Sequence, residues 1–116
     1  MKTAFVLVPL ALAAAPANAT GGLICRTAGA KPIEVWVVVS HTAVSTVVSA
    51  RLSDAGRDIP VAVAQAWLDP NEFRLDLTDK NAVRHELRIR TKLNGSFYDG
   101  SLWRQGKRRW VRCRES

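Results

Sequence analysis

The chain has 116 residues and carries 17 Lys and Arg against 10 Asp and Glu, a formal net charge of +7. That length supports one small domain and excludes two. Two cysteines are too few for a cysteine-rich zinc module, so no metal and no cofactor is expected.

The N-terminus reads as a secretory leader. Lys2 supplies the positive start, Ala4 to Ala15 form an apolar run of about a dozen residues, and Pro16-Ala17-Asn18-Ala19 ends in an A-x-A cleavage pattern. The run is shorter than the roughly 20 apolar residues that span a bilayer. Residues 1–19 are therefore expected to be a cleaved signal peptide and residues 20–116 a single β domain. Such a domain is exported to the periplasm or beyond, with no transmembrane segment after cleavage. A lipid anchor at Cys25 is disfavoured because Ile24, directly before it, is large.

In an oxidising compartment an even cysteine count reads as a bond, which predicts a Cys25–Cys113 disulfide near the two ends of the chain. Closing so long a loop contributes roughly 4 kcal/mol in a chain-entropy treatment.

Short apolar runs separated by turn residues predict an all-β domain. The expected strands are Leu23 to Thr27, Ile33 to Val39, Val44 to Leu52, Val61 to Leu68, Phe73 to Leu77, Val83 to Leu93, Phe97 to Arg104 and Arg108 to Arg114. Phe73, Leu75 and Leu77 alternate with Arg74 and Asp76. In the longest alternation Val83, Leu87, Ile89 and Leu93 face inward with His85 and Thr91, while Arg84, Glu86, Arg88, Arg90 and Lys92 face outward. Asn94-Gly95 signals a type I′ hairpin. The disulfide places the first and last strands close together, so the expected fold is a small eight-stranded antiparallel barrel. A two-sheet sandwich is the alternative. An α+β fold would follow if the Ala-rich Val61 to Trp67 stretch were helical.

The charge is segregated. From Thr20 to Val83 six basic residues face seven acidic ones, whereas from Arg84 onward ten basic residues face three acidic ones. The candidate anion-binding set is Arg84, Arg88, Arg90, Lys92, Lys107, Arg108, Arg109, Trp110, Arg112 and Arg114. Arginine suits this role because its planar fork binds phosphate or carboxylate through two hydrogen bonds and also stacks on rings. The expected partner is an anionic envelope component (a lipid headgroup, lipopolysaccharide or peptidoglycan) or an acidic protein. Nucleic acid fits the chemistry, but an exported protein meets little of it. The bland alternative is a solvated face that keeps the domain soluble.

Trp36 and Trp67 lie in apolar surroundings and are expected at the core or its edge. Trp103 is expected to share a face with Phe97, and Trp110 to point outward with the arginines. His41, in an expected turn beside Ser40 and Thr42, and His85 are the only histidines, and neither lies in a nucleophile elbow, an H-E-x-x-H helix or a phosphate loop. The chain is therefore read as a non-enzyme.

The segment Gly95-Ser96-Phe97-Tyr98-Asp99-Gly100-Ser101-Leu102-Trp103, with Gly106 and Cys113, resembles the end of periplasmic C-type lysozyme inhibitors. That resemblance implies a small exported barrel whose disulfide ties its ends, with an inhibitory loop to which Ser96 and Tyr98 would belong. The basic charge opposes it, because lysozymes are commonly basic themselves. Three functions are thus expected in order: an envelope-binding domain, a protein-binding inhibitor, and a structural envelope protein.

Overall fold

A computed structural model describes residues 20–41 and 45–116. The expected leader and its cleavage site, and the Thr42 and Val44 positions, lie outside the described residues.

The described chain is all-β, with nine antiparallel strands in one strongly curled sheet. The strands are β1 (Thr20–Thr27), β2 (Ile33–His41), β3 (Ser45–Asp54), β4 (Arg57–Ile59), β5 (Ala62–Leu68), β6 (Glu72–Thr78), β7 (His85–Asn94), β8 (Phe97–Arg104) and β9 (Lys107–Glu115). Their order across the sheet is β4-β3-β2-β1-β9-β8-β7-β6-β5.

The two chain ends meet in the middle of the sheet. β1 pairs with β9, and Cys25 stands directly opposite Cys113 with 3.9 Å between their Cα atoms. The disulfide is therefore a staple across a ladder that already exists. The barrel is not closed by hydrogen bonds. Its seam falls in mid-chain, between β4 and β5, where β3 and β5 approach each other without pairing. β4 has only three residues and is followed by Pro60, and β5 carries a bulge between Val63 and Gln65. A short strand, a proline and a bulge are each ways of ending a ladder.

The extra strand, β4, is too short to leave a period in the sequence. It forms because Ala55 and Gly56, both at positive φ (52° and 85°), fold Arg57–Ile59 back onto β3. The Ala-rich stretch is strand, not helix: β5 pairs with β6 along its length, and Val63 and Leu68 pack against the core. Cross-strand pairing overrides alanine's helix propensity here.

Alternation places the core as expected over most of the sheet. Val35, Val37 and Val39 on β2, Phe73, Leu75 and Leu77 on β6, and Leu87 and Ile89 on β7 are all buried on the concave side. Burying side chains of this size is worth about 1.5–3 kcal/mol each against leaving them exposed. Two details differ. First, a bulge between Leu77 and Thr78 in the β6–β7 register sets Thr78 opposite His85 and leaves Glu86 unpaired. The extra residue breaks the alternation, so His85 is exposed rather than inward. Val83 lies before the strand and is exposed, and Leu93, at the hairpin end, is also exposed. Second, the β7–β8 hairpin turns on Gly95 and Ser96, because Asn94 already pairs with Phe97. Only Gly95 of the two has a positive φ, 66°, which is the pattern of a type II′ turn rather than type I′.

A candidate anion-binding face

The last three strands are neighbours, and Arg88, Arg90, Lys92, Arg108, Trp110, Arg112 and Arg114 share the convex face of the sheet, whereas Lys107 and Arg109 stand opposite Arg104 and the buried Leu102 on the concave rank. Backbone register sets them in rows. Trp110, Ser101, Arg90, Arg74 and Trp67 lie side by side across five strands, and the adjoining row holds Arg108, Trp103, Arg88 and Asp76. Arg112 stands opposite Asp99, which in turn stands opposite Lys92.

Three of the expected site arginines are held by carboxylates. Asp76, on β6 directly opposite Arg88, is buried under two arginines of β7: Arg90 grips it with both terminal nitrogens (Nη1 to Oδ1 3.0 Å, Nη2 to Oδ2 3.1 Å) and Arg88 donates from Nε at 3.2 Å. Burial pushes the Asp76 carboxyl up, but hydrogen bonds and charge from Arg90 and Arg88 outweigh it and hold the pKa below its ordinary value. Arg112 forks onto Asp99 (2.8 and 2.9 Å) while its guanidinium lies 4.2 Å from the Phe97 ring centre and 5.3 Å from that of Trp110. The Arg112 hydrogen bond lowers the pKa of Asp99, and the same bond raises that of Arg112. These arginines are preorganised, and part of their charge is already neutralised.

Lys92, Lys107, Arg108, Arg109 and Arg114 carry no ion pair among the described residues. Lys92, Lys107 and Arg114 are exposed. Arg108 donates to the Ser101 hydroxyl at 3.3 Å. Arg109 lies beyond the end of β1 and reaches the Lys31 carbonyl, also at 3.3 Å. Arg84 precedes β7 and does not share its face. Its backbone N–H donates to Asp79, and its guanidinium lies 3.5 Å from Glu86.

The exposure of Trp67, expected at the core or its edge, is the feature that sequence reasoning missed, whereas Trp110 is outward as its alternation with Cys113 implies. Trp67 is 51% exposed, Trp110 54% and Trp103 36%, and Trp36 is half-buried on the outer rank of β2. Trp67 is outward because its indole N–H donates to Asp69 at 2.7 Å and Arg74 covers its ring at 5.5 Å. Arg51 covers Trp36 at 5.3 Å. The signal was present in the sequence: each of Trp36, Trp67 and Trp103 sits one residue from an inward-facing position, which puts it outside by period two.

Tyr98 is half-buried. Its hydroxyl donates to the Asp69 carbonyl at 2.9 Å, and its ring meets Phe73 edge-on at 6.4 Å. Ser96 lies exposed in the hairpin turn. β2 continues through His41, so that residue belongs to a strand and not to a turn.

Among the described residues no three His, Cys, Asp or Glu converge as a metal site would, and no helix is long and apolar enough to cross a membrane. Comparison with known proteins finds no matching family model, and no curated protein or solved structure is significantly similar to the chain.

Proposed function

We propose that this protein is an exported, non-enzymatic binding domain whose convex β6–β9 face engages an anionic component of a cell envelope. The observation that carries the reading is the combination of exposed tryptophans and unpaired cations on one rigid sheet surface. A face used only for solubility needs charge, not exposed indoles. Tryptophan suits a boundary between apolar and wet surroundings, and each basic side chain near an anionic surface adds about 1 kcal/mol before screening. The Cys25–Cys113 disulfide fits an oxidising compartment outside the cytoplasm.

The test is co-sedimentation of the oxidised protein with anionic and with neutral lipid vesicles, at low and high salt. Binding to anionic vesicles alone, weakened by salt, is expected. The triple variant Lys92→Gln, Arg108→Gln, Arg114→Gln should weaken it roughly a hundredfold, since three favourable contributions are removed. These positions are chosen because none is in an ion pair, so the fold is spared. Arg88, Arg90 and Arg112 are unsuitable, because replacing them leaves Asp76 and Asp99 without their partners. Unchanged binding by the triple variant reduces the face to a solvated exterior.

A further inference from the structure

Three of the four tryptophans are already covered by an arginine of the same chain: Trp36 by Arg51, Trp67 by Arg74 and Trp110 by Arg112. Trp103 is the exception among the described residues. It stands directly opposite an arginine on each side, Arg88 on β7 and Arg108 on β9. Neither stacks on it. Arg88 turns to Asp76 at 3.2 Å and Arg108 to the Ser101 hydroxyl at 3.3 Å. The indole forms one wall of an open groove of roughly 670 Å³, lined also by His85, Glu86, Arg88, Arg90 and Gln105; Arg108 stands outside that lining, on the β9 side of the indole. That volume lies within the range of small-ligand sites.

Trp103 therefore offers an uncovered aromatic wall, with Arg88 of the groove on one side and Arg108 on the other. The wall selects a ring with a flat apolar face, and the guanidiniums select an anion. The exposed His85 imidazole and Gln105 amide at the rim supply both donors and acceptors, which suits a ring bearing several hydroxyls. We infer that the Trp103 groove is a subsite for an anionic saccharide, a pyranose carrying a phosphate or carboxylate. Its ring lies on Trp103 and its anionic group between Arg88 and Arg108. The inference rests on the anion-binding reading of this face and narrows it to one ligand class.

The experiment follows the four indole N–H signals by nitrogen–proton NMR, using protein expressed from its full sequence with the disulfide formed. Trp103→Phe identifies the Trp103 signal. The probes are N-acetylglucosamine 1-phosphate, N-acetylmuramic acid, neutral N-acetylglucosamine, inorganic phosphate and adenosine monophosphate. The Trp103 signal should move with an anionic sugar at a Kd at least tenfold below those of the neutral sugar and of phosphate alone. Preference for the phosphorylated sugar points to a glycolipid source, and preference for the carboxylate sugar to peptidoglycan. Arg108→Gln should weaken anionic-sugar binding, read on the Trp103 signal, to the level of the neutral sugar, and unchanged binding counts against the inference.

A silent Trp103 signal overturns the inference, as does equal binding of inorganic phosphate or tighter binding of the nucleotide. If vesicle binding persists while the sugars leave Trp103 unmoved, the groove fails and the face reading stands. Loss of vesicle binding in the triple variant, with the sugars still silent, has the same meaning.

Discussion

Arg104 is the residue whose loss should cost the fold most. It lies on the inward rank of β8, with a side chain only 4% exposed, and its guanidinium joins strands that are not neighbours. Nε donates to Asp54 at the end of β3 at 2.7 Å, and Nη1 donates to the Glu86 carboxylate at 2.9 Å and to the Glu86 carbonyl at 3.2 Å. Removing one partner of a buried ion pair costs about 3–5 kcal/mol, because the remaining charge stays behind without compensation. Asp54 is 24% and Glu86 15% exposed, and Arg84 lies 3.5 Å from Glu86, so water and Arg84 recover part of the loss. Arg104→Met, which keeps most of the aliphatic stem, should therefore lose about 3 kcal/mol, the lower end of that range. Arg104→Lys should fall between, since one ammonium replaces a fork that served both acids. The assay is guanidinium chloride unfolding of the disulfide-intact protein at neutral pH. For an m-value of about 3 kcal/mol/M the Met variant's midpoint should drop by about 1 M. A drop below about 0.3 M refutes the argument and makes the triad incidental to stability.

Acid should unfold the protein only below the ordinary carboxylate range. Asp76 and Asp99 are held below 3.8 by their arginines, and Asp69 and Asp79 by backbone amides. A depressed folded pKa means that the unfolded chain takes up protons first. The stabilisation is thus complete above about 3.8 and is lost as pH falls towards the folded values. Asp76→Asn should flatten this acid limb in a pH series of thermal melts. Gly100 should tolerate no side chain: a Cβ there would collide with the Arg90 carbonyl oxygen and lie 2.8 Å from the Thr91 Cα, both on β7. Gly100→Ala should cost about 1–3 kcal/mol and show as a lowered melting temperature, and an unchanged one would contradict the close strand approach. Replacing Cys25 and Cys113 by serine removes a link across 88 positions, which a chain-entropy treatment values at about 4.5 kcal/mol. The double variant should retain its β-sheet circular dichroism at low temperature, because the β1–β9 ladder remains, but melt much earlier.

Period-two alternation, read from the sequence alone, determined the strands, the inward set Phe73, Leu75 and Leu77, and the neighbourhood of the last three strands. The positions of two cysteines determined that the chain ends meet. These features were legible because each is local or is carried by a unique pair of residues. The tertiary structure decided what depends on which strand lies beside which. It moved the seam to mid-chain, between β4 and β5. It exposed His85 through a bulge opposite Leu77 and Thr78. It also buried Asp76 under Arg88 and Arg90, which divided the basic face into tied and unpaired cations. Arg104 and Asp54 are separated by 50 positions, and no period within either strand announces their ion pair. Alternation reports the face on which a side chain lies, whereas a charge's partner is set by cross-strand register and by the curl of the sheet. The uncovered Trp103 between two arginines is the sharpest case, because its availability depends on where those guanidiniums turn.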